Sequence, residues 1–183
     1  MSRFLPLLIA LTLESVCCAQ GSRCLCDPAR PQTMEARECG LCREAAQQPP
    51  DIEIFFLQDN NPRKPNRWLA LPRAHLPGLH SLADMPHEFR TRLWAAAIKK
   101  AKDLWGDQWG LAYNGDKVRT QCHPHIHIGK LLRGVETRKK LVIVNGPAEI
   151  PKPRDGEGIW VHPQGRRLHV HLGEQTCETV LLR

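Results

Sequence analysis

A chain of 183 residues with 42% hydrophobic and 25% charged residues is long enough for one domain with its own core, and its composition is ordinary for a globular protein. We see no internal repeat and no low-complexity tract, which excludes repeat and fibrous architectures. The net charge of +7 favours anionic partners such as nucleotides, phosphate esters, nucleic acid or an acidic membrane surface. By itself, however, the charge is explained more simply by a solvated basic surface.

The N-terminus has the order of a secretory signal: a basic residue, an apolar run and then small residues. Arg3 precedes the apolar run, which is far shorter than the ~20 residues needed to span a bilayer. We predict that residues 1–19 are a signal peptide cleaved after Ala19, so that the protein is exported to a periplasm or secreted. A lipoprotein cysteine at Cys17 or Cys18 is the less favoured alternative.

The rest of the chain divides into three parts by its pattern. Residues 20–37 are polar and rich in breakers, which predicts a poorly ordered arm. Residues 38–146 are expected to form the main domain, and residues 147–183 predict a short β-rich C-terminal extension. Runs rich in β-branched and aromatic residues predict strands. They lie at 52–57, 68–71, 109–113, 125–128, 141–144, 159–162, 168–172 and 179–182.

One strong helix is predicted between the second and third of these strands. Pro86 suits its first turn, and apolar residues recur at helical spacing from Phe89 to Leu104. The order strand, strand, helix and then further strands predicts an α+β fold, in which one main helix packs on an antiparallel sheet.

The run His123-Pro124-His125-Ile126-His127 is the most informative segment of the sequence. On a strand, side chains alternate between faces, so the three histidines are expected on one face and Ile126 in the core. An imidazole titrates near neutrality and is a good nucleophile toward phosphorus. The alternatives are a simple metal site or an exposed strand that holds histidines by chance.

This run resembles the signature of the histidine-triad superfamily of nucleotide hydrolases and transferases. The similarity covers roughly residues 38–135 and includes several elements in the family's order. The resemblance implies a histidine-triad-like antiparallel sheet and, in many members, a twofold homodimer. The matching elements are Cys39-Gly40-Leu41-Cys42, Asp59, the strand ending Pro72-Arg73-Ala74-His75, and Asn114-Gly115.

The resemblance also implies roles for site residues. His125 would attack the α-phosphate of a nucleotide or nucleotide conjugate and form a covalent nucleotidyl-histidine, which water or another acceptor then releases. His127 would bind phosphate oxygens, and Asp59 would hold the ribose hydroxyls. Asn114 and Gln121 would bind substrate and stabilise charge in the transition state. The bond cleaved would be a phosphoanhydride or a phosphoramidate.

A backbone carbonyl at or near His123 would keep the nucleophilic imidazole in the right tautomer. Zinc-bearing members take ligands from the CxxC motif, from the His after the strand ending and from the first His of the triad. Carried over, these ligands are Cys39, Cys42, His75 and His123, in a closed structural zinc site. A disulfide network is the alternative in an exported protein. The roles of Cys24, Cys26, Cys122 and Cys177 stay open.

A second resemblance supports another substrate. Arg119-Thr120-Gln121 stands directly before the histidine run and is similar to the CDP-diacylglycerol pyrophosphatase branch of the superfamily. This favours, as an alternative, a hydrolase of lipid-linked nucleotides that works near a membrane surface. A non-catalytic module that binds a nucleotide or metal is the other alternative, and no stable nucleic-acid complex is expected. His169 and His171 are interpreted as part of an amphipathic strand.

Overall fold

The computed structural model of the chain describes residues 24–74, 80–135, 140–154 and 156–183. The predicted signal peptide, residues 20–23 of the predicted arm and the predicted zinc ligand His75 lie outside these residues. Within them, no helix combines the length and the apolar character that crossing a membrane requires.

Among the described residues, one antiparallel sheet carries seven strands in the order β1-β2-β4-β3-β6-β7-β5. Two α-helices, α1 at Gly40–Gln47 and α2 at His87–Trp105, accompany it. The α+β prediction is therefore confirmed. The strands are β1 Ile54–Gln58, β2 Trp68–Pro72, β3 Trp109–Tyr113, β4 Ile126–Lys130, β5 Leu141–Val144, β6 Gly158–Gln164 and β7 Arg167–Glu174. Short 3₁₀ turns lie at Pro31–Glu35, Arg37–Cys39, Pro147–Glu149 and Cys177–Val180.

Helix α2 forms the core with one face of the sheet. It starts after Pro86, and it ends at Gly106, which takes a φ of 56° that favours glycine and whose N–H donates to the carbonyl of Lys102. Its buried residues recur at helical spacing and pack against inward-facing strand residues such as Ile126 and Ile128. The fully buried helix residues are Leu93, Trp94, Ala97 and Ala101.

The C-terminal part belongs to the same sheet, although the sequence predicted it as an extension. Strand β6 pairs with β3, and β7 pairs with both β6 and β5. The strand predicted at 179–182 is wrong: residues Cys177–Val180 form a 3₁₀ turn, followed by one isolated bridge between Leu131 and Leu181. We call residues 177–183 the tail. The tail crosses the face of the sheet opposite α2, where Val180 and Leu181 bury their side chains against Trp160.

The N-terminal arm is also more structured than predicted. From Cys24 onwards it is packed against the start of α1, and Met34 is buried. Disulfides join Cys24 to Cys122 and Cys26 to Cys39. The polar composition concealed this packing, because the buried contacts come from a few sulfur-containing side chains rather than from an apolar run.

Candidate active site

A cleft of about 680 Å³ lies on the sheet face opposite α2, beside the tail. Its wall includes the start of α1, the β1–β2 loop, the loop between β3 and β4, and one residue of the tail. Sequence reasoning proposed five catalytic or substrate-binding residues, and the structure brings all of them to this cleft. They are Asp59, Asn114, Gln121, His125 and His127.

The ring of His125 is oriented by the backbone. Its Nδ1 lies 2.9 Å from the carbonyl oxygen of His123, to which it donates. Burial lowers the pKa of His125 from 6.5 to about 4; the hydrogen bond to His123 opposes this shift and the charge of Arg119 adds to it. At neutral pH the imidazole is therefore uncharged, with its proton on Nδ1 and a lone pair on Nε2.

His127 stands next along β4, between Leu69 of β2 and Ala112 of β3. Asn114 Nδ2 lies 3.4 Å from its Nε2, and Nδ1 lies 3.8 Å from the Glu178 carboxylate. Burial is the main cause that holds the pKa of His127 well below its usual value, and the neighbouring His125 and the charge of Arg67 add to it. Both ring nitrogens thus face protein groups, Nε2 the Asn114 amide and Nδ1 the Glu178 carboxylate.

Two further predicted residues line the cleft but are held by the backbone. The Asp59 carboxylate accepts the backbone N–H of Asn61, which shapes the β1–β2 loop. Gln121 accepts the N–H of Leu41 at the start of α1 and donates to the carbonyl of Arg37. In this arrangement Gln121 joins the loop before β4 to the helix, and its amide donor is engaged by Arg37.

The first histidine of the run does not share the cleft with the other two. His123 is fully buried, and its Nε2 donates to the carbonyl of Pro72 over 2.6 Å. The expectation that all three histidines share one cleft is therefore wrong. Strand β4 begins only at Ile126, so the alternation of faces does not extend back through Pro124 to His123.

Sequence reasoning missed Glu178, which the tail inserts into the cleft. Its carboxylate contacts Lys64 and lies 3.4 Å from a guanidinium nitrogen of Arg67, while its backbone N–H donates to Asn114 Oδ1. Burial raises the pKa of Glu178, but the hydrogen bond and charge of Lys64 and the charge of Arg67 outweigh burial and hold it below its ordinary value. Glu178 is therefore ionised at neutral pH and fixes the Asn114 amide that faces His127.

Arg67 was also missed, and it anchors the tail. Its buried guanidinium donates to the carbonyls of Glu178, Leu181 and Leu182 over 2.6 to 2.9 Å. Nothing in the local sequence distinguishes it from the other basic residues of the β1–β2 loop. The tail and Arg67 are far apart in the chain, so only the folded structure reveals the contact.

The cleft has a small excess of positive charge. Arg119 is almost fully buried there, paired with Asp116 at 3.0 Å and hydrogen-bonded to the Tyr113 hydroxyl. The cleft's cations outnumber its carboxylates, which suits an anionic ligand that loses water on entry. The cationic residues are Arg37, Arg43, Lys64 and Arg119, and the acidic ones are Glu44, Asp59 and Glu178.

Of the four predicted zinc ligands, His75 lies outside the described residues, and the other three do not form a group of close ligands. Cys39 is bonded to Cys26, and the Nε2 of His123 carries the proton donated to Pro72, so that nitrogen does not fit a metal ligand. Among the described residues, the close groups of three candidate ligands consist of cysteines alone. Cysteines near the start of α1 are thus able to hold a metal, but His123 belongs to neither group.

Comparison with known proteins adds no assignment. No protein-family model matches the chain, and no curated protein matches its sequence.

Proposed function

We propose that the protein is a hydrolase or nucleotidyl transferase of the histidine-triad type, which cleaves a phosphoanhydride or phosphoramidate bond of a nucleotide. The observation that carries this proposal is the hydrogen bond from His125 Nδ1 to the His123 carbonyl inside a cationic cleft. This bond selects the tautomer with a lone pair on Nε2, and the low pKa keeps that lone pair available at neutral pH.

The reaction proceeds in two displacements at the α-phosphorus. His125 Nε2 forms a bond to phosphorus while the bond to the leaving group breaks, and the leaving group departs with the bonding electrons. Water or another acceptor then attacks the phosphorus, loses a proton, and breaks the phosphorus–nitrogen bond. The electron pair returns to Nε2, which restores the starting imidazole.

The charges around the cleft support this chemistry. The charge of Arg119 lowers the pKa of His125, and the charges of Arg67 and Lys64 lower the pKa of His127, so these cations act on the two rings. Fixed positive charges stabilise the extra negative charge of a phosphoryl transition state without any reorganisation. Asp59 also lines the cleft, and its carboxylate oxygen that does not bond to Asn61 would hold ribose hydroxyls.

Glu178 acts as a positioning residue in this proposal. It fixes Asn114 through its backbone and faces His127 through its carboxylate, so it holds the ring beside the nucleophile. The rings of His125 and His127 stand nearly edge to face, with centroids 4.8 Å apart. The proposal also includes a structural zinc ion held by cysteines near the start of α1. This ion takes no part in the two reaction steps.

Covalent trapping tests the proposed function. The full chain would be mixed with a panel of dinucleoside polyphosphates, nucleoside phosphoramidates and lipid-linked nucleoside diphosphates, quenched within milliseconds to seconds, and digested for mass spectrometry. We expect a nucleotidyl group on the peptide that contains His125. The matched control is His87→Ala, since His87 is exposed on α2 and away from the cleft.

Two results would contradict the proposal. One is full turnover by His125→Ala on the same panel. The other is nucleotide binding without any adduct or turnover in the wild-type chain, which would identify a non-catalytic binding module instead.

A further inference from the structure

Five cysteines from three separate segments meet behind the cleft. Two come from the arm, two from the start of α1, and one from the loop before β4. Their sulfur atoms form two groups of three, each with all sulfurs within 4.8 Å of one another, and Cys26 belongs to both groups. We call these five residues the sulfur cluster. They are Cys24, Cys26, Cys39, Cys42 and Cys122.

Two disulfides do not account for all five sulfurs of this cluster. The bonds Cys24–Cys122 and Cys26–Cys39 use four of the five sulfurs. The fifth, Cys42, is a fully buried thiol within 4.8 Å of the sulfurs of Cys24 and Cys26. An odd sulfur in direct reach of two disulfides is unusual for a purely structural cross-link, whereas thiolates that converge at this spacing are typical of a metal site.

The sequence spacing supports chelation. Cys24-Leu25-Cys26 and Cys39-Gly40-Leu41-Cys42 each supply two sulfurs from one short segment. Zn²⁺ prefers four ligands in a tetrahedron with Zn–S distances of about 2.3 Å, which places neighbouring sulfurs within ~4 Å of one another. The sulfurs within each group of the sulfur cluster lie within 4.8 Å of one another, which is close to this requirement.

We propose that the reduced sulfur cluster binds one zinc ion through four thiolates, with Cys26 among them in every case. His123 takes no part, because neither group of close ligands contains it, and its Nε2 donates to the carbonyl of Pro72. The two disulfides are the alternative, oxidised form of the same residues. Each disulfide takes two electrons and two protons from a dithiol reductant to give two thiols. Zinc then displaces the protons of its four thiol ligands to solvent.

The cluster's position makes its state relevant to the cleft. Cys122 precedes His123, whose carbonyl orients the catalytic ring, and the N–H of Cys122 donates to the carbonyl of Glu38 over 2.8 Å. The cluster therefore fastens the arm and α1 to the base of β4. The inference concerns metal binding alone and does not depend on the chemistry proposed for His125.

Cobalt substitution tests the site by a readout other than activity. The full chain would be reduced with dithiothreitol, desalted without oxygen and titrated with Co²⁺. We expect about one equivalent of bound metal, with the strong thiolate-to-cobalt bands and the d–d absorption of a tetrahedral four-thiolate site, and displacement by Zn²⁺. His123→Gln is expected to leave this spectrum unchanged, as is Cys177→Ser, which alters a buried cysteine outside the cluster.

Three results would overturn the inference. They are no bound metal in the reduced wild-type chain, a spectrum of mixed sulfur and nitrogen ligands that changes in His123→Gln, and an unchanged spectrum in Cys26→Ser. Circular dichroism would show whether Cys26→Ser folds. If that variant is unfolded, the wild-type spectrum and the His123→Gln comparison still decide between four thiolates and the mixed set.

Discussion

Histidines alternate with apolar residues in two parts of the sheet, the start of β4 and the β6–β7 hairpin. At the start of β4, His125 and His127 line a cleft in which cations outnumber carboxylates. In the hairpin, His162 and His171 are buried with their Nε2 atoms 3.3 Å apart, and His171 stacks on Trp160 with ring centroids separated by 3.6 Å. Similar patterns therefore lead to different surroundings.

The difference lies in what the neighbouring segments supply. The β4 histidines receive a backbone carbonyl, an amide from the β3–β4 loop and a carboxylate from the tail. The hairpin histidines stack on the indole of Trp160 and on each other, and the carbonyl that His162 meets belongs to the next residue, Pro163. Alternation on a strand places imidazoles on one face, but the loops and side chains that meet them decide whether they are available for chemistry.

The largest expected effect is on catalytic activity, and it distinguishes the start of β4 from the β6–β7 hairpin. His125→Ala should lower kcat/KM by about 10⁴-fold or more, because the nucleophile and its covalent intermediate are lost. His169→Ala, the matched change in the hairpin, should stay within about twofold of wild type. Steady-state kinetics on the best substrate of the panel measure both. Comparable losses in the two variants would remove the distinction.

The second prediction concerns stability and the tail, which supplies Glu178 to the cleft. Arg67→Ala should destabilise the protein by about 3–5 kcal/mol, because three tail carbonyls lose their donor and the half-buried Glu178 carboxylate loses one of its two cationic partners. Urea unfolding measures this loss. Arg63→Ala, an exposed change in the same loop, should cost less than about 0.5 kcal/mol. Equal, small losses in both would show that the tail is not anchored by Arg67.

The acid side of the pH dependence provides a third test. The folded pKa of His125 is about 4 against 6.5 for a free imidazole, so the unfolded chain binds more protons between these values. Stability is therefore expected to fall as the pH drops from 6.5 to 4, by roughly 3 kcal/mol for this residue. Unfolding at several pH values in wild type and His125→Ala checks this, and an identical pH dependence in both would contradict it.

A smaller effect is expected from the charge of Glu178. Glu178→Gln keeps the shape but removes the anion that faces His127 and pairs with Lys64, so kcat/KM should fall roughly tenfold, equivalent to one charge-assisted hydrogen bond. The acid limb of the kcat/KM profile should also shift to lower pH, since the cations are no longer neutralised. Glu174→Gln in β7 is the control. A purely structural role would lower stability without moving the profile.

The parts that sequence predicts well are those set by local periodicity. The bounds of β3 and β5 match the prediction, and α2 begins directly after Pro86. Apolar spacing within one segment determines which face is buried, so these elements follow from neighbouring residues. Asp59 and Asn114 were predicted from the family resemblance and not from periodicity, and both line the cleft.

The parts that sequence does not predict depend on contacts between distant segments. Glu178 and Arg67 meet across more than half of the chain, and no local pattern marks either of them. The residues after Cys177 have strand-like composition, but they cross a sheet face instead of pairing along an edge. His123 does not line the cleft, because β4 begins only after Pro124 and the alternation of faces does not extend back to this residue. The alternating histidines in the sequence do not reveal where the strand begins.

Nitrogen-15 NMR of the histidine rings tests the central claim most directly, because it reports which ring nitrogen carries the proton. For His125 at pH 7 we expect a neutral ring with its proton on Nδ1 and none on Nε2, titrating near pH 4. The His125→Ala spectrum assigns the signal. A proton on Nε2 at pH 7, or a titration near 6.5, would mean that the ring is not held as a nucleophile.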